Sequence, residues 1–276
     1  MSVARIKSLV IAALVFLNII FLEVIVHDAI SDASNERQAI ENICQVLSGG
    51  GIAILPEGIK TAGAISTMRT VRDIETEAAI ARVVLGPSEM TDQGVIYRYE
   101  SSQAGVAEFS SAGGFTIQLN KGVYANAGGA LKTARDVLRE MKIETSEVYL
   151  SFNEGRETAV AVCAYKGSSI FNCTIEFFFN GDSLEAVKGR YATGIEPGDD
   201  GKTISAVGTV LLGFLALCKK GEVECSRIDY VEAGYQHYVP GSFGEGVIFP
   251  AWLIVADSGR YIIDDATGEI ISRKIA

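Results

Sequence analysis

The chain predicts an α+β fold in which helices are followed by antiparallel meanders, all standing behind an N-terminal transmembrane helix. Three observations predict it. Residues 8–26 form an apolar stretch broken only by Asn18 and Glu23. Several segments with a helical apolar period are each followed by short alternating strands. Turns of hairpin type, NEGRE, KGSS and NGD, join those strands, and strands joined by tight turns are antiparallel.

The first element is the anchor, because about 20 apolar residues cross a bilayer as a helix. Arg5 and Lys7 precede it, while Glu23, Asp28, Asp32 and Glu36 lie at or beyond its far end. Positive residues stay inside, so residues 1–7 are predicted to be cytoplasmic and the bulk of the chain extracytoplasmic, on a single-pass cell-membrane protein. Ala29 or Ala33 fits a cleavage rule, but the apolar core exceeds the roughly 7 to 15 residues of a signal peptide, which favours an anchor. Glu23 lies four residues from His27 and reads as an interfacial carboxylate, with contact to a partner helix as the alternative. Asn18 is the better-placed contact residue, since an amide pairing inside an apolar span is worth about 0.6 to 2 kcal/mol.

Next, ASNERQAIENICQVLSGGG reads as a juxtamembrane helix capped by Ser34, with Ile40, Ile43, Val46 and Leu47 on one face, that stands the domain off the membrane. A strand at GIAILPEG and another at ISTMRTV precede a helix at IETEAAIARVVLG, with a stripe of Ile74, Ala78, Ala81 and Leu85. Strands around 95–99, 104–109 and 115–119 complete a first α+β domain, residues 27–122. The second region, 123–276, holds two helix-then-meander cassettes. One is 123–195, opened by ANAGGALKTARDVLREMKI; the other is 202–276, whose helix starts near Thr203 after the linker EPGDDGK. The run VLLGFLALC is too short to span and is closed by Lys219 and Lys220, so it belongs to a buried helix.

Composition narrows the function classes. The net charge is -10, and no basic run exceeds a pair such as Lys219–Lys220, which argues against a nucleic-acid footprint. Five cysteines, Cys44, Cys163, Cys173, Cys218 and Cys225, are an odd number without metal-like spacing and read as reduced thiols; a Cys163–Cys173 bridge is the minority alternative, as the two flank KGSS. With only His27 and His237, and His237 in a tyrosine-rich strand, a Ser or Cys triad has little support. No zinc or P-loop motif occurs, so no enzyme activity, cofactor, metal or small-molecule substrate is expected. The acidic turn DDATGE lacks the alternating spacing of a calcium loop and reads as a hairpin closure. Trp252 reads as a core residue packed on the helix from Thr203. Of Phe177, Phe178 and Phe179, alternation cannot hide all three on one face, so Phe178 becomes a candidate partner contact beside Asn18 and Glu23.

Three segments carry a resemblance: RIKSLVIAALVFLNIIFL, ALCKKGEVECSRIDYVEAGYQ and IFPAWLIVADSGRYIIDDATGEI. Together they resemble the YycI (WalI) family, single-pass regulators of the Gram-positive YycFG (WalRK) two-component system, over about the first 25 and last 75 residues. The motif positions are Gly234 and Tyr235, Pro250 and Trp252, and Tyr261, Asp264, Thr267 and Gly268; the closing segment also resembles PepSY and YycH domains. The resemblance implies a protein that adjusts a sensor histidine kinase of the WalK (YycG) type, beside a YycH-like sister protein, in cell-envelope signalling. The alternative is an anchored PepSY-type module that binds or inhibits a protease or another envelope component.

Overall fold

The computed structural model describes residue 35 and residues 37–60, 65–126, 128–153, 156–198, 204–241 and 244–275. The molecule is mixed α+β; the described residues form four α-helices, and fifteen strands in one hydrogen-bonded, mainly antiparallel network. Among the described residues no helix is long and apolar enough to cross a membrane. The stretch 8–26 expected to do so, with Asn18 and Glu23, lies outside the described residues, as do Ser34 and His27.

Helix α1 covers 37–49 and buries Ile43 and Leu47. One expectation about it needs correcting. Val46 is exposed although Leu47 beside it is sealed, because the inward face of the helix runs along Ile40, Ile43, Cys44 and Leu47. Its end packs against the core: a Cβ on Gly50 would lie 2.6 Å from Leu215 Cδ1, so the helix terminus is docked on the protein. The strand expected at GIAILPEG shrinks to a single bridge, Ala53 to Arg227, followed by a 3-10 turn at Pro56–Gly58. Pro56 has no N–H to give a ladder. Strands β1 (Ile59–Lys60) and β2 (Met68–Val71) follow.

From there the chain repeats one pattern three times. Helix α2 (Ile74–Leu85) leads into β3 (Glu89–Asp92), β4 (Ile96–Ser101), β5 (Gly105–Ser110) and β6 (Gly114–Leu119). Helix α3 (Ala130–Glu140) leads into β7 (Thr145–Asn153), β8 (Arg156–Tyr165), β9 (Ser168–Asn180) and β10 (Ser183–Arg190). After β11 (Ile195–Pro197), helix α4 (Val207–Lys219) leads into β12 (Ile228–Tyr238), β13 (Glu245–Ala256), β14 (Gly259–Asp264) and β15 (Ile270–Ile275). The region before residue 122 is thus also a helix-then-meander cassette, completed by β3, whose sequence EMTD has no apolar alternation and is exposed throughout.

Asp73 caps α2, accepting from the amides of Glu75 and Thr76, which satisfies two N-terminal donors; Gly86 ends it at φ 65°. Its buried line is Glu77, Ile80, Ala81, Val84 and Leu85, whereas Ile74 in the first turn stays 39% exposed. Helix α4 starts at Val207 and not at Thr203, because the preceding residues are held extended: the Ile204 amide donates to Ile65 O and the Ser205 amide to Asp265. It buries Val210, Leu211, Phe214 and Leu215, each burial worth about 1.5 to 3 kcal/mol.

The first two cassettes meet edge to edge. Their last strands, β6 and β10, pair antiparallel, and the sheet runs β3-β4-β5-β6-β10-β9-β8-β7 across residue 122 without a break. One face is covered by α2 and α3. A single row crosses it, Met90, Tyr99, Ala107, Ile117, Val187, Phe177, Ala159 and Leu150, with the six inner residues buried and the two end residues exposed. The opposite face is open and charged, as one-sided antiparallel sheets are. There the neighbouring row reads Thr91, Arg98, Glu108, Thr116, Lys188, Glu176, Val160 and Tyr149.

The third cassette forms its own sheet, β15-β14-β13-β12, extended by β1 and β2 and covered by α4. Phe214 meets Tyr261 edge-on at 5.3 Å between ring centroids, and Tyr261 lies beside Ile254 and then Val231 in the register, so this is the buried face. The two sheets are stitched at Ile170 of β9, which pairs parallel with Tyr235 of β12.

Candidate functional site

The place where most chemistry-bearing side chains converge is the seam between the two sheets. Its wall comes from β2, the β5–β6 turn, residues 191–193 and the end of β12, around a cavity of about 20 Å³, room for one water molecule. Gly113 and Gly244, both with φ near 78°, let the backbone pass closely: a Cβ on Gly113 would sit 3.0 Å from Tyr191 O, and one on Gly244 would lie 2.9 Å from Arg72 Cβ.

Arg72 enters this seam from the link between β2 and α2. Its guanidinium clamps Glu77 in two contacts of 2.8 and 2.9 Å, donates to the carbonyls of Phe109 and Val95, and stacks 4.3 Å from the centroid of Tyr97. The two side chains are 12% and 6% exposed. Burial lifts the Glu77 carboxyl above the ordinary range even though Arg72 pulls it down, so desolvation outweighs the ion pair at this site.

His237 lies 4% exposed on the far side. Its Nε2 is 3.2 Å from Thr70 Oγ1 and its Nδ1 3.7 Å from Cys173 Sγ, while Asn172 holds its backbone through both amide groups, at 2.7 and 2.8 Å. Burial, reinforced by the charge of Arg190, pulls His237 from 6.5 down to about 4. Burial drives Cys173 up to about 12, against the pull of Arg190, and raises Cys163 well above its usual value, helped by Cys173. Near neutrality the group is a neutral imidazole beside a neutral thiol, held by one tautomer that donates on one side and accepts on the other. A reactive thiolate needs the opposite surroundings, a depressed pKa and partial exposure. The seam can hold a water and respond to acid, and both thiols are free and sealed at 0% exposure.

The residues singled out by sequence are arranged differently. Gly234 and Tyr235 lie where the third cassette meets the second, and Pro250, Trp252, Tyr261, Asp264, Thr267 and Gly268 lie within the third cassette. Gly234 allows a close approach, since a Cβ there would meet Ser169 O at 2.5 Å and the Phe171 ring at 2.6 Å. Tyr235 pairs with Pro250 in the ladder and packs edge-on against Tyr165. Trp252, 2% exposed, donates from Nε1 to Asp265 at 3.0 Å. Tyr261 is sealed, its hydroxyl 2.9 Å from Ser258 Oγ. The turn DDATGE closes the β14–β15 hairpin: Asp264 accepts from the amides of Ala266 and Thr267, Thr267 accepts from Glu269, and Gly268 takes φ 72°. Among the described residues no cluster of three or more His, Cys, Asp or Glu is placed to hold a metal.

The three phenylalanines divide as alternation demands. Phe177 and Phe179 are buried on the helix side, and Phe178 stands half-buried on the open face, with Lys188 Nζ 5.5 Å above its ring. Sequence reasoning missed Arg72, Glu77 and Thr70 and gave His237 only a strand role. Thr70, Arg72 and Glu77 fall within eight residues, but their spacing matches no motif, and His237 reaches them from 167 residues beyond Thr70. No family model matches this chain, and no curated protein matches it.

Proposed function

We propose that the chain is a membrane-anchored extracytoplasmic regulator that binds a sensor histidine kinase of the YycFG (WalRK) type and shifts its output, with a YycH-like protein as second partner. The segment resemblance supports this reading, and one observation carries it. The open face of the eight-stranded sheet carries a row with Arg98, Glu108, Lys188 and Glu176, and beside that row, opposite Ala186, stands the aromatic Phe178 under a lysine. An aromatic spot ringed by charge suits a protein partner, because aromatic anchors carry much of the energy at interfaces and the charged rim sets orientation. Favouring one kinase arrangement by about 1 to 3 kcal/mol changes output several-fold.

The test is crosslinking and co-purification of the full-length protein from its native membrane, with Phe178→Glu and Asn18→Leu variants in parallel. Recovery of a sensor kinase with the wild type, falling at least about tenfold with Phe178→Glu, supports the reading. Recovery of an envelope or secreted protein and no kinase, indifferent to Asn18→Leu, replaces it with the PepSY-type binding module.

A further inference from the structure

A sheet edge is a row of unpaired backbone donors and acceptors, and folded chains guard such edges against pairing with another chain. The edges of this network are unequal. At one end of the eight-stranded sheet, β3 has four residues and carries Glu89 and Asp92 at its two ends. In the other sheet, β11 has three residues and contains Pro197, and β15 carries Arg273 and Lys274. Shortness, proline and charge are the usual guards.

At its other end the eight-stranded sheet stops at β7, which has nine residues, TSEVYLSFN, and pairs among the described residues with β8 alone. It has no proline and no basic residue, and its one charge is Glu147. Leu150 ends a buried row at 41% exposure, and Phe152, two residues on and on the same face, is 75% exposed. Both project on the helix-covered side, so a further strand laid against β7 would continue the buried layer.

We propose that the occupant of this edge is a second copy of the chain, its β7 antiparallel to the first across a two-fold axis. Two features select a copy of the same chain over another partner. The chain already makes a joint of this kind within itself, where β6 and β10 pair antiparallel and fuse two cassettes into one sheet. Self-pairing of β7 is also free of like-charge contact: centred on Leu150, it sets Val148 against Phe152 and Tyr149 against Ser151, and Glu147 never meets its copy. An isologous joint closes at two chains, whereas β7 on the acidic β3 of another copy would propagate without end. This inference concerns a different surface from Phe178 and stands or falls apart from the kinase reading.

The experiment is sedimentation velocity of the full chain in mild detergent over a range of concentrations, with hydrogen–deuterium exchange on the same samples. The variants are Leu150→Lys/Phe152→Lys, the single Phe152→Lys, and Ile271→Lys on β15 as a control edge. A wild-type dimer, halved in mass by the β7 changes and not by Ile271→Lys, with β7 amides protected only in the dimer, is the expected result. Phe152→Lys alone keeps the test valid if the double variant does not fold, because its side chain is mostly exposed. A wild type that stays monomeric, a dimer indifferent to the β7 changes, or protection that appears elsewhere overturns the proposal. A different protein found on β7 while the chain itself stays monomeric overturns it equally.

Discussion

The seam at Arg72 and His237 and the tie at Asp265 are made from the same kinds of groups and do similar topological work. Arg72 binds α2 to β4 and β5. Asp265 binds the last hairpin to the start of α4, accepting from the amide and hydroxyl of Ser205 and from Trp252 Nε1. In the seam Glu77 and His237 are each 4% exposed and the Arg72 side chain 12%, while Asp265 is half-buried and water reaches it. The difference teaches that burial decides the worth of a polar contact. In the seam a partner lost is a charge stranded in a dry place; at Asp265 water takes up much of the loss.

The sharpest way to break this comparison is to strand one member of the buried pair. Arg72→Ala leaves Glu77 buried and unpaired, and a loss of about 3 to 5 kcal/mol is expected in urea unfolding. The double variant Arg72→Met/Glu77→Leu, which removes both charges and keeps volume, should be more stable than Arg72→Ala alone. A loss below about 1 kcal/mol for Arg72→Ala would place the seam on a par with an exposed ion pair.

Acid gives the next largest effect. His237 titrates near 4 when folded and near 6.5 when unfolded, so the unfolded chain takes the proton first. Its contribution is complete above pH 6.5, declines as the pH falls from 6.5 to 4, and levels off below 4. The total is about 3 kcal/mol at 1.36 kcal/mol for each pKa unit. Carboxylates titrate in the same window, so the readout is the wild-type curve minus that of His237→Gln. A difference that does not grow between pH 6.5 and 4 removes the histidine from the account.

These two sites also mark how far the sequence could be read. Helices at 74–85 and 130–140 and the hairpins at KGSS and NGD declare themselves locally, through period and turn chemistry. The cassette before residue 122 was hidden as a repeat because β3 is exposed throughout and carries no alternation. Thr70, Glu77, Cys173 and His237 belong to three different strands and a helix, and only the pairing of β12 with β9 and β13 with β2 brings them together. Nor does DDATGE disclose which aspartate does what: Asp264 closes the turn while Asp265, one residue on, ties down α4.

Asp265→Ala sharpens the comparison from the exposed side. It removes the acceptor for Trp252 Nε1 and for Ser205, and a loss of about 1 to 2 kcal/mol is expected in thermal or urea unfolding, well short of Arg72→Ala. Asp73→Ala follows at about 1 kcal/mol, since Asp73 caps α2 and its carboxyl is held below the usual range by the Thr76 hydroxyl. Equal losses for Asp265→Ala and Arg72→Ala would show that burial is not what separates the two regions.

The smallest effect comes from the pair that most resembles Arg72–Glu77 on paper. Arg98 bonds Glu108 across the open face and also reaches Glu100 at 3.3 Å. The donor and acceptor types are those of the seam, but the side chains are 32% and 42% exposed, so solvent and salt screen the attraction and both groups rehydrate when parted. Arg98→Ala should leave the urea midpoint unchanged within measurement scatter, at low and at high salt alike. A clear drop at low salt that vanishes at high salt would mean that the charged ladder acts as a connected network, and the open face would then contribute to stability as well as presenting Phe178.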